Sequence, residues 1–165
     1  MMNNPRRNLL VLVAVGSGMA VIRKWLPAST AHSAEHYEVT HTDAEWRKLL
    51  SPAQYNVLRE AGTEAPFSSP LDHEKRAGEF ACAGCALPLF SSQTKFNSGT
   101  GWPSFWKPLE NAVQTHSDST FGMTRVEVLC RRCGSHLGHV FEDGPPPTGL
   151  RYCMNGIALN FAPRS

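Results

Sequence analysis

The chain has 165 residues, 41% of them hydrophobic and 18% charged, with 16 Lys and Arg against 14 Asp and Glu. That length suits one domain with a single core, and the apolar content is too high and the charge too low for a disordered polymer. All four basic residues of the first 31 positions (Arg6, Arg7, Arg23, Lys24) stand in a stretch without an acid, so the remainder carries 12 basic against 14 acidic residues. A slightly acidic body is a poor match for nucleic acid, whose affinity rests on neutralised phosphates.

The N-terminus reads as an address. Arg6 and Arg7 supply a positive start, Leu9 to Ile22 is an apolar or small-residue run, and Ser29-Thr30-Ala31 offers a small-x-small cleavage site. A membrane-spanning helix needs about 20 apolar residues, and Arg23 and Lys24 stop this run early. Residues 1–31 are therefore expected to be an export signal, by the twin-arginine route if the paired arginines are used. The expected location is the periplasm, with an uncleaved membrane anchor as the alternative.

The domain is expected over residues 36–163. Thr42 with Glu45 forms a capping box ahead of Ala44–Leu50. Ser51, Pro52 and Gln54 start a second helix that Gly62 would end. Thr63 to Arg76 reads as an ordered loop. Glu79–Cys82, Leu87–Phe90, Phe121–Leu129, His139–Phe141 and Ile157–Phe161 are short strand-like runs between turn formers. Gly144-Pro145-Pro146-Pro147 is a loop, because successive prolines cannot donate to a ladder. The result is one mostly β domain with a small helical preface.

Five cysteines divide into four and one. Cys82-Ala-Gly-Cys85 and Cys130-Arg-Arg-Cys133 are two C-x-x-C turns. Each turn aims two thiolates at one point, and together they make the donor set of a structural zinc site, with Gly84 and Gly134 supplying backbone freedom. Two disulfides or a redox pair are the alternatives. Cys153 is left unpartnered, in Arg151-Tyr-Cys-Met-Asn155. A buried, inert thiol is one reading, but an unpaired thiol in an exported protein is a liability unless it is used. Arg151 would favour its thiolate if the backbone there is extended. His136-Leu-Gly-His139 offers ligands, surface residues or proton donors; beside four thiolates the two rings are surplus as ligands. Trp102 follows two loop glycines, as a pocket wall or a cap on the core. The other histidines (His32, His36, His41, His73, His116) read as solvated.

Four of these stretches, in order, resemble the B-type methionine sulfoxide reductases, which act on the R epimer. They are Cys82-Ala-Gly-Cys85, Lys95-Phe-Asn-Ser-Gly-Thr-Gly-Trp-Pro-Ser-Phe105, Cys130-Arg-Arg-Cys-Gly-Ser-His-Leu-Gly-His-Val-Phe141 and Gly149-Leu-Arg-Tyr-Cys-Met-Asn155. The resemblance runs from about His36 to Phe161. It implies two antiparallel sheets with short N-terminal helices, one structural zinc remote from the chemistry, and Cys153 as nucleophile. It places His136, His139, Asn155 and Trp102 in the pocket. Cys153 would attack the sulfoxide sulfur while His139 protonates its oxygen, His136 and Asn155 position it, and Trp102 walls the methyl group. Arg151 and a nearby histidinium would raise the thiolate fraction. Cys153 would be left as a sulfenic acid. Where many members carry a resolving cysteine, this chain has Thr100, which implies direct reduction by a thioredoxin-like or small thiol, one zinc-site cysteine as resolver being the alternative. The expected partners are oxidised proteins or peptides and a thiol reductant, with no nucleic acid and a monomeric chain.

Overall fold

The computed structural model describes residues 36–119 and 124–164. The expected leader lies outside them, as do residues 121–123, where one strand was expected to begin. Helix α1 (Asp43–Leu49) opens on the expected capping box, with Glu45 N bonded to Thr42 Oγ1 at 3.3 Å and Thr42 N to the Glu45 carboxylate at 2.7 Å. Helix α2 (Pro52–Glu60) has Ser51 as its cap and Pro52 in its first turn, where the missing N–H costs nothing. It ends on Ala61 in the left-handed conformation (φ 53°), one residue before the glycine expected to stop it.

Among the described residues nine strands follow, all paired antiparallel in two sheets. In the smaller sheet β1 (Gly78–Cys82) lies between β2 (Pro88–Ser91) and β9 (Leu159–Pro163). The larger has the order β3-β4-β8-β7-β6-β5, built from β3 (Lys95–Phe96), β4 (Ser104–Phe105), β5 (Val113–Asp118), β6 (Arg125–Cys130), β7 (His136–Phe141) and β8 (Arg151–Met154). This is the mostly β architecture with a helical preface that the residues predicted, in the two antiparallel sheets that the family resemblance implied.

The differences have local causes. Strand β5 reads Val-Gln-Thr-His-Ser-Asp, with one apolar residue, because it is an edge strand with little to bury. Residues Gly156–Ala158 form a 3-10 turn before β9 rather than the start of a strand. The Glu64 carboxylate accepts the N–H groups of Gly156 and Ile157 there, holding that turn from the loop after α2. The sheets meet through aromatic rings. Phe90 of β2 stacks on Phe105 of β4 at 4.3 Å, and Phe80 of β1 meets Phe105 edge-on at 4.9 Å, all three fully buried. Each such ring contributes about 1.5–3 kcal/mol by burial.

Candidate active site

In antiparallel sheets, directly opposed residues share a face. The registers therefore lay one row across the larger sheet: Phe96, Ser104, Cys153, His139, Glu127 and His116, from β3 to β5. Cys153 on β8 thus stands between Ser104 and His139. His116, expected to be solvated, is half-buried at the end of this row.

His136 and His139 are three residues apart, a spacing that puts side chains on opposite faces of a regular strand. A β-bulge changes this. Val128 pairs with Gly138 but Leu129 pairs with His136, so Leu137 is an extra residue on β7. The slip returns His136 to the face of His139, and the rings lie 5.4 Å apart. Gly138 within the bulge has φ 155°, and a Cβ there would meet the Cys153 carbonyl oxygen at 2.1 Å. The glycine between the histidines is what lets β8 approach.

Each ring is tied to a carboxylate that the sequence analysis did not single out. His136 Nδ1 is 2.6 Å from Glu127 Oε1, and His139 Nε2 is 2.9 Å from Asp118 Oδ2. Asp118 also binds Arg125 at 2.6 Å. These five side chains line a cavity of about 370 Å³ with Glu60, Ala61 and Thr63 from the end of α2. Burial pushes His139 down, partly opposed by the Asp118 hydrogen bond, and the His136 hydrogen bond holds Glu127 below the usual carboxylate range.

Cys153 is half-buried, with Sγ 3.8 Å from Thr100 Oγ1. Ser98 Oγ joins Thr100 Oγ1 at 2.8 Å and Ser104 Oγ at 2.7 Å, so hydroxyls bank the thiol on the side away from the histidines. Burial pushes the Cys153 thiol up, and Thr100, Arg151 and Ser104 offset this only in part. Arg151 thus acts in the direction expected of it, raising the thiolate fraction, but burial outweighs it. Arg151 is committed to Asp143 through two 2.8 Å bonds and lies over the Phe141 ring at 4.4 Å.

Trp102 and Asn155 meet at Glu64. Trp102 Nε1 donates to the Glu64 carbonyl at 3.2 Å, and the Glu64 N–H donates to Asn155 Oδ1 at 2.9 Å. Asn155 Nδ2 donates to the Leu137 carbonyl at 3.1 Å, so this buried amide is used at both ends in holding the bulged strand to the loop. Gly101 carries φ 90°, and its carbonyl takes the Phe67 N–H at 2.7 Å, which sets the half-buried Trp102 beside that loop.

The four other cysteines converge. All four Sγ atoms lie within 4.8 Å of one another, with Cys85–Cys130 at 3.5 Å and Cys82–Cys133 at 3.8 Å. A tetrahedron of ~2.3 Å metal–sulfur bonds has edges of about 3.8 Å, so the set fits one metal ion and not two disulfides. Ala86 (φ 58°) and Gly134 (φ 66°) take the left-handed turns after each pair. Gly84, expected to supply such freedom, does not have positive φ; it sits close to the Ser135 hydroxyl instead.

A thiol opposite an imidazole, on a two-sheet scaffold clasped by four cysteines, defines a cysteine-dependent enzyme with a structural metal site. The family model described as the SelR domain matches residues 50–163. The peptide methionine sulfoxide reductase MsrB of Thiobacillus denitrificans is 58% identical over 124 residues, 74% of this chain and 94% of its own length. Those of Agrobacterium fabrum (54% over 127 residues, 76% and 94%) and Methanosarcina barkeri (56% over 124, 74% and 87%) are similar. The chain belongs to this family, the SelR-domain or B-type methionine sulfoxide reductases.

Alkylation of Cys153 by iodoacetamide, followed by mass spectrometry against pH, should show a midpoint above that of an ordinary thiol. Because Thr100 and Arg151 favour the thiolate, Thr100→Val and Arg151→Met should each move the midpoint further up. A wild-type midpoint below neutrality would contradict the electrostatics described.

Proposed function

We propose that the chain reduces the R epimer of methionine sulfoxide in peptides and proteins to methionine, with Cys153 as nucleophile. The observation that carries this reading is the register of β8, which sets Cys153 directly across from His139 with His136 on the same face. A sulfoxide sulfur is electrophilic, but its oxygen leaves only when protonated. The thiol proton passes to the imidazole pair and from there to the sulfoxide oxygen. The Cys153 sulfur bonds to the substrate sulfur and then takes over the oxygen. The substrate sulfur gains two electrons and departs as methionine, while Cys153 is oxidised to the sulfenic acid. Trp102 supplies the wall for the methyl group. Only one arrangement about the chiral sulfur then brings the oxygen to the rings.

Thr100 occupies the place from which a resolving thiol would reach Cys153, and the other four cysteines form the metal clasp. The sulfenic acid is therefore reduced by an external thiol: one thiol displaces water to form a mixed disulfide, and a second releases Cys153. The clasp holds zinc, whose preference for four thiolates in a closed tetrahedron matches the site. Its role is structural and no step passes through it. The segment with Arg6, Arg7 and the apolar run from Leu9 to Ile22 directs the protein to the periplasm, as a soluble monomer after cleavage near Ala31.

With dithiothreitol as reductant, dabsylated methionine-R-sulfoxide should turn over and the S epimer should not, and Cys153→Ser should be inactive. Equal use of both epimers would refute the stereochemical reading. Enzyme oxidised by one equivalent of substrate should react with dimedone at Cys153; a disulfide from Cys153 to a clasp cysteine would overturn the external-thiol route. Metal analysis should find one zinc per chain. Stripping it removes at least about 5 kcal/mol, which in a domain of this size lowers Tm by roughly 15 °C.

A further inference from the structure

We infer that Glu127 is a positioning residue for this reaction, fixing the His136 ring through Nδ1 so that its unpartnered Nε2 is the nitrogen presented to the sulfoxide oxygen. The inference rests on the proposed function and assigns within it which imidazole serves the oxygen.

The two rings are not equivalent. A carboxylate only accepts hydrogen bonds, so the nitrogen facing it carries the proton. In His139 that nitrogen is Nε2, bound to Asp118, which Arg125 holds in turn. In His136 it is Nδ1, bound to Glu127 at 2.6 Å. The opposite nitrogen of His136, Nε2, is buried and has no hydrogen-bond partner among the described residues. The side chain is 4% exposed. A buried polar atom left without a partner costs about 1–3 kcal/mol, and such atoms call for a reason. His136 lines the cavity, and once the ring is protonated a sulfoxide oxygen entering there accepts from Nε2–H and removes the cost.

Glu127 is suited to this role by its place. It stands opposite His139 in the row, yet the bulge brings His136 round to its carboxylate, so one side chain meets both the register and the slip in it. With Nδ1 committed, the ring can neither flip nor exchange its nitrogens, and Nε2 keeps a single direction. Protonated, the ring gives its Nε2 proton to the sulfoxide oxygen; the Cys153 thiol proton restores it. The charged and titratable groups around the ring are Glu60 of α2, Asp118 of β5, Arg125 and Glu127 of β6 and His139 of β7.

Glu127→Ala and the near-isosteric Glu127→Gln test the assignment, with kinetics on a methionine-R-sulfoxide peptide and 15N spectra of the labelled imidazoles. The alanine variant should lose about a hundredfold in kcat with KM within twofold, the scale of one proton-transfer group. Glutamine, which still accepts from Nδ1–H, should recover roughly tenfold of that loss. In wild type the His136 signals should show Nδ1 protonated, and in Glu127→Ala this preference should be lost while the His139 signals stay. Wild-type kcat in Glu127→Ala, or an unchanged His136 signature in an inactive variant, overturns the inference. Zinc content and Tm of Glu127→Gln equal to wild type separate positioning from folding; a glutamine variant that loses activity only in step with its zinc also overturns it. Cys153→Ser, run beside these, keeps the outcomes distinct: turnover without Cys153 defeats the proposed function itself, whatever Glu127 does.

Discussion

Strand β8 runs between β4 and β7, and its register decides what the Cys153 sulfur can meet. Ser104 opposes it on one side and His139 on the other. A slip of one residue would turn Cys153 to the other face and bring Tyr152 or Met154 to the row. Two features hold the register against that slip. Met154 is fully buried, so turning it outward would expose a large apolar side chain. Gly138 leaves room for the Cys153 carbonyl oxygen, which a Cβ there would meet at 2.1 Å, so β7 fits β8 in this alignment. The bulge at Leu137 then adds the second imidazole, and the Asn155 amide holds the Leu137 carbonyl in place.

The larger sheet would not keep this arrangement alone. Strand β7 begins three residues after Cys133, and the clasp joins that turn to Cys82 and Cys85 at the end of β1. The aromatic contact of Phe80, Phe90 and Phe105 ties the same two sheets at β4, which carries Ser104 beside Cys153. One tie therefore reaches the site from the histidine side and the other from the hydroxyl side. Glu64 adds a third, linking the Trp102 loop, Asn155 and the turn at Gly156 through its carbonyl, N–H and carboxylate.

Much of this was legible in the sequence because it depends on residue spacing. The two C-x-x-C pairs, the capping box at Thr42, the helix start at Ser51-Pro52 and the odd Cys153 each carry a local constraint that survives without coordinates. Glu127, Asp118 and Arg125 were not legible for a physical reason. A strand alternating polar with apolar residues reads as half-solvated, and Arg125 and Glu127 of β6 fit that pattern. In the fold their polar face turns toward the histidines rather than to open water. Strand β5, with a single apolar residue, gave no periodicity at all, so Asp118 had no element to place it. The spacing of His136 and His139 shows the same limit, since only the bulge, invisible in the chain, puts both on one face.

The distribution of charge follows from the chemistry of a neutral substrate. Carboxylates stand behind the imidazoles, while the sulfur is bordered by hydroxyls and by Arg151, which is shared with Asp143. A standing thiolate in this half-buried position would carry the desolvation cost of an ion, and it would meet a sulfoxide that brings no charge to balance it. In the proposed reaction the thiol proton moves along the row to the rings, which keeps the net charge of thiol and imidazole unchanged through the transfer. The anion then exists mainly where the substrate sulfur can accept it. On that proposed route burial, which at first sight handicaps Cys153 as a nucleophile, ties the formation of its reactive state to the presence of an oxygen ready to take the proton.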